Sequence, residues 1–495
     1  MVSAPGSWTA STIYIGPGIS PSSGTRSGVI QISFNPAGYG AGYYKGTVTV
    51  SDPTASNSPQ TITLWVKVMN VGTSGVPFGE FSTPINASTV AGAIPVTGWV
   101  LDDIETAQVE IWRDPVSPEG PNLVFIGYGI FVEGARPDVE LDYPGYPLNK
   151  RAGWGYMLLT NFLPNKGNGS YKLYAIAQDK EGNRVHLGTK TIISQNNSSV
   201  KPFGTIDTPT QGGDASGSTF VNFGWVLTPM PKTVAKNGST ISVWVDGIQV
   251  GALNTAPNVY NQYRVDVSTA FPGLNNSSGP VGACYLDTTK YPNGVHTIYW
   301  IATDDGGQAD GIGSRYFNIV NTGTTANMLS HREDRSDAAI RLEESSRALR
   351  GISSTHNTHN NPERNDPAIS TMESLSNLPI SFDVVAVKRG FDLAAPAEIV
   401  KPDNYGSIRA EMREVERLEL GLGKGTAFKG YLVVGEELRP LPIGSTLDPK
   451  AGTFSWMPGP GFVGTYDLLF IKQDEFGAAR RIPMTITIRP KFAKK

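Results

Sequence analysis

The sequence predicts an all-β protein made of several β-sandwich domains in series. Its 495 residues include 56 Gly and 36 Pro with only 17% charged residues, a balance typical of turn-rich all-β chains. A hairpin signature recurs at fixed spacing along the chain. The length exceeds what one hydrophobic core supports, so we expect several domains.

The recurring hairpin has Gly two residues before an aromatic residue and Asp eight residues after it, as in Gly169, Tyr171 and Asp179. Eight is an even interval, so on a strand both side chains lie on one face. The aspartates can cap the turn by accepting hydrogen bonds from its backbone amides. They can also supply calcium ligands. The calcium candidates are Asp179, Asp304 and Asp474.

Composition limits the partners and the location. A net charge of -3 offers no basic surface, so neither nucleic acid nor an anionic membrane is expected as a partner. One cysteine, Cys284, rules out an internal disulfide framework. No apolar run approaches the roughly 20 residues of a membrane span, and the first residues lack a signal peptide. The Gly, Ser, Thr and Asn-rich composition favours an extracellular or cell-surface protein.

Residues 1–71 read as alternating strands. The stretch ISPSSGTRSGVIQISFNPAGYGAGYYKGTVTVSD resembles the BACON family of bacterial immunoglobulin-like modules. The resemblance implies an immunoglobulin-like sandwich. Such a sandwich needs about seven strands, and only four or five can be counted, so we expect this domain to lack its first strands.

Residues 74–196 and 199–321 form a repeated pair. PFGEFSTP matches PFGTIDTP, GWVLDD matches GWVLTP, and EIWRD matches SVWVD. Both are similar to the tandem immunoglobulin-like modules of very large secreted bacterial proteins, which implies two copies of one fold. The short connection predicts a stiff pair. Elsewhere, tandem units are expected to behave as beads on a string.

The composition of residues 322–378 predicts a charged linker with a helix over 332–350. Within that helix, Ile340, Leu342 and Leu349 form a thin apolar stripe. A partner-binding helix is the alternative. The pair His356 and His359 is interpreted as solvated, because a metal site needs three or four ligands at fixed geometry.

Residues 379–491 resemble the putative-Ig modules of the cadherin-like superfamily, which implies a further sandwich. The matching positions are Leu441, Pro442, Gly444, Leu447, Asp448, Gly452, Trp456, Pro458, Gly464 and Tyr466. Within this domain the segment GSIRAEMREVERLELGLG is ambiguous between helix and strand, and the glycines that follow closely favour a strand.

No catalytic constellation is recognisable, so the chain is predicted not to be an enzyme. There is no Gly-x-Ser-x-Gly elbow, and no plausible cysteine nucleophile near a histidine. The stretch GLGKGT at 421–426 fails as a phosphate loop, because Leu418 and Gly425 stand where Gly and Ser or Thr are required.

Two tryptophans supply the functional lead. Trp112 and Trp244 each lie opposite the apolar row of their strand. Exposed there, they could stack on a sugar ring or contact a partner; the alternative is burial under a loop or neighbouring domain. We therefore expect a non-catalytic bacterial surface protein with a structural or adhesive role, in filaments or adhesion, with protein subunits or surface polysaccharide as partners. The alternative is a polysaccharide-binding accessory region of a larger extracellular enzyme.

Overall fold

The prediction of an all-β fold is confirmed. The computed structural model describes residues 7–14, 18–25, 30–35, 37–55, 58–70, 73–321 and 372–492. Within these ranges almost all regular structure is strand, and the helices have six residues or fewer. The described residues divide into two compact units, one up to Gly75 and one from Val76 onward.

The described part of the first unit contains six strands. Its main sheet has the order β3-β1-β5-β6, and β2 pairs with β4. The strands are β1 Ser7–Tyr14, β2 Gly18–Ser20, β3 Ser23–Thr25, β4 Gln31–Ser33, β5 Gly42–Ser51 and β6 Gln60–Val68. Strand β1, which the sequence pattern did not reveal, pairs antiparallel with β5, so the recurring hairpin β5-β6 occupies one edge of the sheet.

The second unit contains three sandwiches, which we number second, third and fourth after the first-unit domain. The second has strands β7 Phe78–Thr83, β8 Ser88–Val90, β9 Ala93–Leu101, β10 Thr106–Arg113, β11 Val124–Tyr128, β12 Ile130–Phe131, β13 Gly153–Leu159, β14 Asn168–Asp179 and β15 Arg184–Gln195. Its short helices are α1 Pro137–Asp142 and α2 Pro164–Gly167, with 3-10 turns at Asn149–Arg151, Thr160–Phe162 and Asn196–Ser198. A five-stranded sheet, β11-β10-β14-β15-β8, faces a four-stranded sheet, β12-β13-β9-β7.

The third sandwich repeats this plan with sheets β16-β18-β22-β21 and β17-β24-β23-β19-β20. Its elements are β16 Phe203–Thr208, β17 Asp214–Ala215, β18 Phe220–Leu227, β19 Ile241–Val245, β20 Ile248–Ala252, β21 Val259–Gln262, α3 Val265–Ala270, β22 Val281–Leu286, a 3-10 turn Thr288–Lys290, β23 Gly294–Thr303 and β24 Ala309–Ile319. Trp300, fully buried, lies in its core and donates a hydrogen bond to Asn222.

The fourth sandwich has sheets β26-β25-β28-β32-β31 and β27-β34-β33-β29-β30. Its elements are α4 Met372–Ser376, β25 Val385–Arg389, β26 Glu398–Val400, β27 Ile408–Arg413, β28 Leu418–Gly421, β29 Ala427–Val434, β30 Glu437–Arg439, β31 Ser445–Leu447, β32 Thr453–Trp456, β33 Gly464–Gln473 and β34 Ala479–Arg489. The ambiguous segment therefore forms two strands, β27 and β28. The expected helix over 332–350 lies outside the described residues, as do His356 and His359.

One feature of topology is common to the three sandwiches of the second unit. An early strand pairs in parallel with the last strand: β8 with β15, β17 with β24, and β27 with β34. All other strand pairs in these sandwiches are antiparallel hairpin or Greek-key contacts, as in immunoglobulin-like domains. The recurring hairpin supplies the last two strands each time.

The expectation of beads on a string, which concerned the connections other than the one between the second and third sandwiches, is wrong for the fourth sandwich. Residues from the second, third and fourth sandwiches fall in one compact unit. A Cβ on Gly155 would lie 2.2 Å from the Pro460 carbonyl, and one on Gly459 would lie 2.4 Å from the Tyr316 ring. The fourth sandwich thus approaches both of its neighbours to backbone contact distance.

Candidate functional site

The aspartates of the recurring hairpin cap its turn. Asp304 Oδ1 accepts hydrogen bonds from the amides of Gly306 and Gln308, each 3.0 Å long. Asp474 Oδ1 accepts from the amides of Phe476 and Ala478 at 3.0 and 2.9 Å. Both carboxylates therefore fix the turn that joins the two strands.

The hairpin tyrosines play a similar local role. The Tyr44 hydroxyl donates to the Gly40 carbonyl at 2.9 Å, and the Tyr171 hydroxyl donates to Pro164. In the fourth sandwich the Tyr466 hydroxyl reaches further and donates at 2.7 Å to Ala135 of the second sandwich. The tyrosine at this repeated position thus donates within its own domain in the first and second copies, and across a domain junction in the fourth.

Asp179 has a different environment. It caps its turn through Asn183, whose amide donates to Oδ1 at 2.8 Å and whose side chain donates to Oδ2 at 2.7 Å. Carboxylate oxygens of Asp102 and Glu181 also lie nearby, with all three groups within 4.8 Å of one another. Among the described residues, this is the one group of three potential metal-ligating side chains.

Trp112 lies on an aromatic surface of the second sandwich. Its ring meets Phe125 at a centroid distance of 5.1 Å, and Phe125 meets Tyr128 at 4.9 Å. Phe125 and Tyr128 are 39% and 38% exposed, and Trp112 is half-buried. We call these three residues the aromatic row. It lies on the side of the five-stranded sheet that faces away from the core.

Polar side chains adjoin the aromatic row on the same strand face. Glu110 accepts a 2.9 Å hydrogen bond from the Trp112 indole and pairs with Arg184. Gln108 donates to Glu110 at 2.9 Å and to Gln178 at 3.0 Å. Because residues two apart on a strand share a face, rings and hydrogen-bonding groups form one continuous surface. Such a surface can contact the apolar face and the hydroxyls of a sugar together.

Trp244 differs from the expectation of an exposed contact residue. It is 6% exposed, its indole donates to Ser242 at 2.8 Å, and its ring stacks on Tyr299 at an interplanar angle of 14°. Arg417 of the fourth sandwich lies over the ring at 4.8 Å from its centroid. The neighbouring sandwich covers this face, so Trp244 cannot stack on a sugar in this arrangement. Its position matches the alternative stated above, burial under a neighbouring domain.

Cys284 and His296, two residues of catalytic types in the third sandwich, are engaged in its packing. Cys284 is buried, and this burial raises the pKa of its thiol to about 11. His296 Nδ1 contacts Asp246 at 2.5 Å, and its Nε2 contacts the Pro292 carbonyl at 2.9 Å. Both ring nitrogens are thus occupied by fixed oxygen atoms. A general base needs a nitrogen that can take a proton from substrate or nucleophile. These two contacts leave no such nitrogen on His296.

A buried carboxyl lies where the second and fourth sandwiches meet. Glu414 is 2% exposed, and its Oε1 accepts hydrogen bonds from Thr83 at 2.8 Å and Thr97 at 3.3 Å. Its Oε2 accepts from the Lys491 amide at 3.1 Å. Burial is the main influence and, opposed by these hydrogen bonds, raises the pKa of Glu414 to about 7.

An ion pair closes the same junction further along. Arg439 of the fourth sandwich donates to both carboxylate oxygens of Glu140 in α1, at 2.6 and 2.5 Å. The two side chains are 17% and 7% exposed. The geometry is bidentate, the strong form of the arginine-carboxylate contact.

The third sandwich joins its neighbours in similar ways. Thr446 of the fourth sandwich donates to the Asp246 carbonyl at 2.8 Å. Toward the second sandwich, the Gln211 side chain accepts from the Met157 amide at 2.8 Å and donates to its carbonyl at 3.2 Å. Sequence reasoning missed these junction residues; the segment that holds Glu414 and Arg417 was noted only as ambiguous between helix and strand.

Comparison with known proteins adds little about function. No protein-family model matches the chain, and no curated protein matches it. In the described residues no helix is both long and apolar enough to cross a membrane.

Among solved structures, the fibronectin(III)-like modules of CbhA from Clostridium thermocellum match with 13% identity over 51% of this chain and 100% of theirs, at a TM-score of 0.17. The titin I-band fragment I67-I69 matches with 8% identity over 84% of this chain and 99% of its own, at 0.15. A 1.5-MDa bacterial ice-binding adhesin matches with 10% identity over 84% and 98%, also at 0.15. With TM-scores this low, function is inferred from the residues of this chain alone.

Proposed function

We propose that this chain is a non-catalytic structural and adhesive protein of the bacterial surface or extracellular space, which carries contact surfaces on locked sandwich domains. The observation that carries the proposal is the set of junction contacts among the second, third and fourth sandwiches. The BACON-like and cadherin-like resemblances of the first and last domains agree with this role.

The physical reason is stiffness. Domains joined only by linkers reorient freely, and their interfaces are usually polar and small. Here the junctions contain a buried carboxyl, a bidentate ion pair and backbone contacts that leave no room for a side chain at Gly155. A unit held this way keeps its surfaces at fixed separations, which suits a spacer or an adhesive support.

Charge reversal at the Arg439–Glu140 contact tests the stiffness. In the variant Arg439→Glu, three carboxylates would meet, because Glu437 also contacts Arg439 at 2.8 Å. We expect small-angle X-ray scattering to show a larger radius of gyration for this variant than for the wild type. Lys236→Glu reverses an exposed cation away from the junctions and serves as the matched control.

Unchanged scattering from Arg439→Glu would contradict the locked arrangement.

Electron microscopy of the wild type separates the two forms of the structural role. Ordered fibres would assign the chain to a filament, and single particles of uniform size would assign it to a spacer or adhesin.

The second candidate function is polysaccharide binding, and the aromatic row favours it. Trp112, Phe125 and Tyr128 are adjacent, mutually inclined rings beside the hydrogen-bonding groups of Gln108 and Glu110. Stacking on aromatic rings with flanking polar contacts is the recognition chemistry that a sugar polymer requires. The same surface serves the accessory region of an extracellular enzyme or an adhesin equally well.

Affinity electrophoresis in gels containing soluble polysaccharides tests this function. Trp112→Ala and Phe125→Ala should abolish any retardation that the wild type shows. Tyr405→Ala, which removes an aromatic ring that is 83% exposed on the fourth sandwich, is the control and should be retarded like the wild type. Equal retardation of all variants, or none for the wild type across a broad panel, would exclude the aromatic row as a glycan site.

A further inference from the structure

We propose that Asp102, Asp179 and Glu181 form a calcium site in the second sandwich, at the end where β9 leaves the sheet and β14 turns into β15. The site is independent of the glycan surface and of the structural role. It also separates Asp179 from the other hairpin aspartates, Asp304 and Asp474, which have no such group of three potential ligands around them in the described residues.

The geometry suits one ion. One carboxylate oxygen from each of the three residues lies within 4.8 Å of the other two. Calcium binds oxygen ligands at 2.3–2.6 Å, so two ligands on one ion are at most about 5 Å apart. The three carboxylates are therefore already close enough to share a cation, and the ligands are all hard oxygen atoms.

An unpartnered oxygen points to the ligand. Asp102 is 2% exposed, and its Oδ2 accepts the amides of Ile104 and Glu105 at 2.8 and 2.9 Å. Its Oδ1 is buried with no hydrogen-bond partner. A buried carboxylate oxygen without a donor costs free energy unless a cation neutralises it.

Further oxygen ligands are within the same region. The hydroxyl of Thr106, whose Cα pairs with that of Asp179 across the strands, is also buried without a partner. A cavity of about 270 Å³ adjoins the cluster, with Asp102 and Thr106 among its lining residues. It has room for the water molecules that complete the six to eight ligands of calcium. The Lys180 ammonium, which lines the same cavity, lies 3.8 Å from the Glu105 carboxylate.

The third sandwich has neutral residues at two of the three equivalent positions. Thr228 replaces Asp102 after the shared Gly-Trp-Val-Leu sequence, and Gly306 replaces Glu181. The Thr228 hydroxyl donates to Asp304 Oδ2 at 2.9 Å, and the Gly306 amide donates to Oδ1 at 3.0 Å. One repeat thus satisfies its aspartate with neutral donors. The second sandwich also caps Asp179 with neutral donors from Asn183, but it places two more carboxylates beside it, which repel one another unless a cation lies between them.

Isothermal titration of the full chain with CaCl2 after chelator treatment tests the site. We expect wild-type protein to bind calcium and to unfold at a higher temperature in its presence, because a ligand of the native state stabilises it. Asp102→Asn should abolish both effects. Glu181→Gln, a change at a partly exposed turn position that should leave folding intact, should weaken binding by at least about tenfold through the loss of a charged ligand.

Asp304→Asn is the matched control, because it alters the equivalent turn of the third sandwich and should leave calcium affinity unchanged. Three results would overturn the proposal. They are no calcium binding by wild type at millimolar concentration, wild-type affinity in both Asp102→Asn and Glu181→Gln, or a larger thermal shift with MgCl2 than with CaCl2, since magnesium demands a smaller octahedral site.

Discussion

Glu414 in the fourth sandwich accepts a 2.8 Å hydrogen bond from Thr83 in the second, although 331 residues separate them in sequence. The hydrogen bond therefore joins two different sandwich domains. The contact is buried, and the Thr97 hydroxyl joins it, so two strands of one sandwich present hydroxyls to one carboxyl of another. The packing of the two sandwiches is therefore tied to the protonation of one residue.

The first prediction concerns pH. The pKa of Glu414 is about 7 in the fold against 4.5 for a free side chain. The protonated carboxyl therefore favours the folded state fully below about pH 4.5, and that contribution is lost as pH rises through about 7. At about 1.4 kcal/mol for each pH unit between the two values, the loss is on the order of 3 kcal/mol.

Chemical denaturation from pH 5 to 8 measures this effect. The free energy of unfolding of the wild type should fall across the range, and Glu414→Gln, which carries no charge, should reduce the slope. Glu411→Gln, at an exposed site of β27, is the control and should retain it. A slope that is not reduced in Glu414→Gln would contradict the assignment of this dependence to Glu414, because only the smaller contribution of His296 should remain.

The second prediction concerns His296. Burial by itself lowers the pKa of this imidazole, but the Asp246 carboxylate and the Pro292 carbonyl outweigh it and raise the pKa above 6.5. The charged ring thus stabilises the fold below about pH 6.5, and this contribution disappears as pH rises through the folded-state value. NMR titration should place the His296 ring above 6.5, with the resonance identified by its loss in His296→Gln.

Replacing the acidic partner checks the cause. In Asp246→Asn the pKa of His296 should drop below that of the wild type, because the carboxylate that favours the charged ring is gone. A wild-type value at or below 6.5 would contradict the assigned contacts.

The third prediction concerns the ion pair at the junction. Removing Glu140 leaves the mostly buried Arg439 with only the exposed Glu437 as a partner. We expect Glu140→Ala to destabilise the second unit by about 3–5 kcal/mol, since removing one partner of a buried pair leaves the other charge buried and uncompensated. A double-mutant cycle with Arg439→Met should show strong coupling.

The control cycle uses the Arg489–Glu411 pair, whose side chains are 61% and 60% exposed. Surface pairs contribute little, so its coupling should be small by comparison. Similar coupling in both cycles would mean that the junction pair is as solvated as the surface pair.

The fourth prediction uses Cys284 as a reporter. It is the one cysteine of the chain, is 2% exposed, and has a pKa raised by burial to about 11. A thiol reagent at pH 8 should label it only as the third sandwich opens, because the thiolate is the reactive form. Labelling in native buffer at the rate of a free thiol would show that the core around β22 is not packed as described.

Labelling can also report on the junctions. If the fourth sandwich stabilises the third through Thr446 and Arg417, then Arg417→Ala should speed the labelling of Cys284, although the two residues belong to different sandwiches. Lys236→Glu again provides the control and should leave the rate unchanged.

Local patterns in the sequence determined the fold class and the hairpins. The even interval from Tyr171 to Asp179 fixes one strand face, and the turn that follows is capped by the side chain at its start, as expected from the residue types. Such features depend on neighbours within about ten residues, so one chain segment contains all the required information.

Only the tertiary structure decided what packs on the outward-facing side of each sheet. Trp112 and Trp244 occupy equivalent strand positions in a repeated pair, yet one lies on an open surface and the other beneath Arg417. Alternation distinguishes two faces of a strand but does not state what packs on the second one. The partner comes from a segment more than 170 residues away along the chain.

The same reason explains the carboxyl sites. The sequence singled out Asp179, but only the fold brings Asp102 to it from the end of another strand, and only the docking of two sandwiches buries Glu414. Burial and the convergence of distant charges set these environments, because desolvation and Coulomb interactions depend on distance in space and not on spacing along the chain.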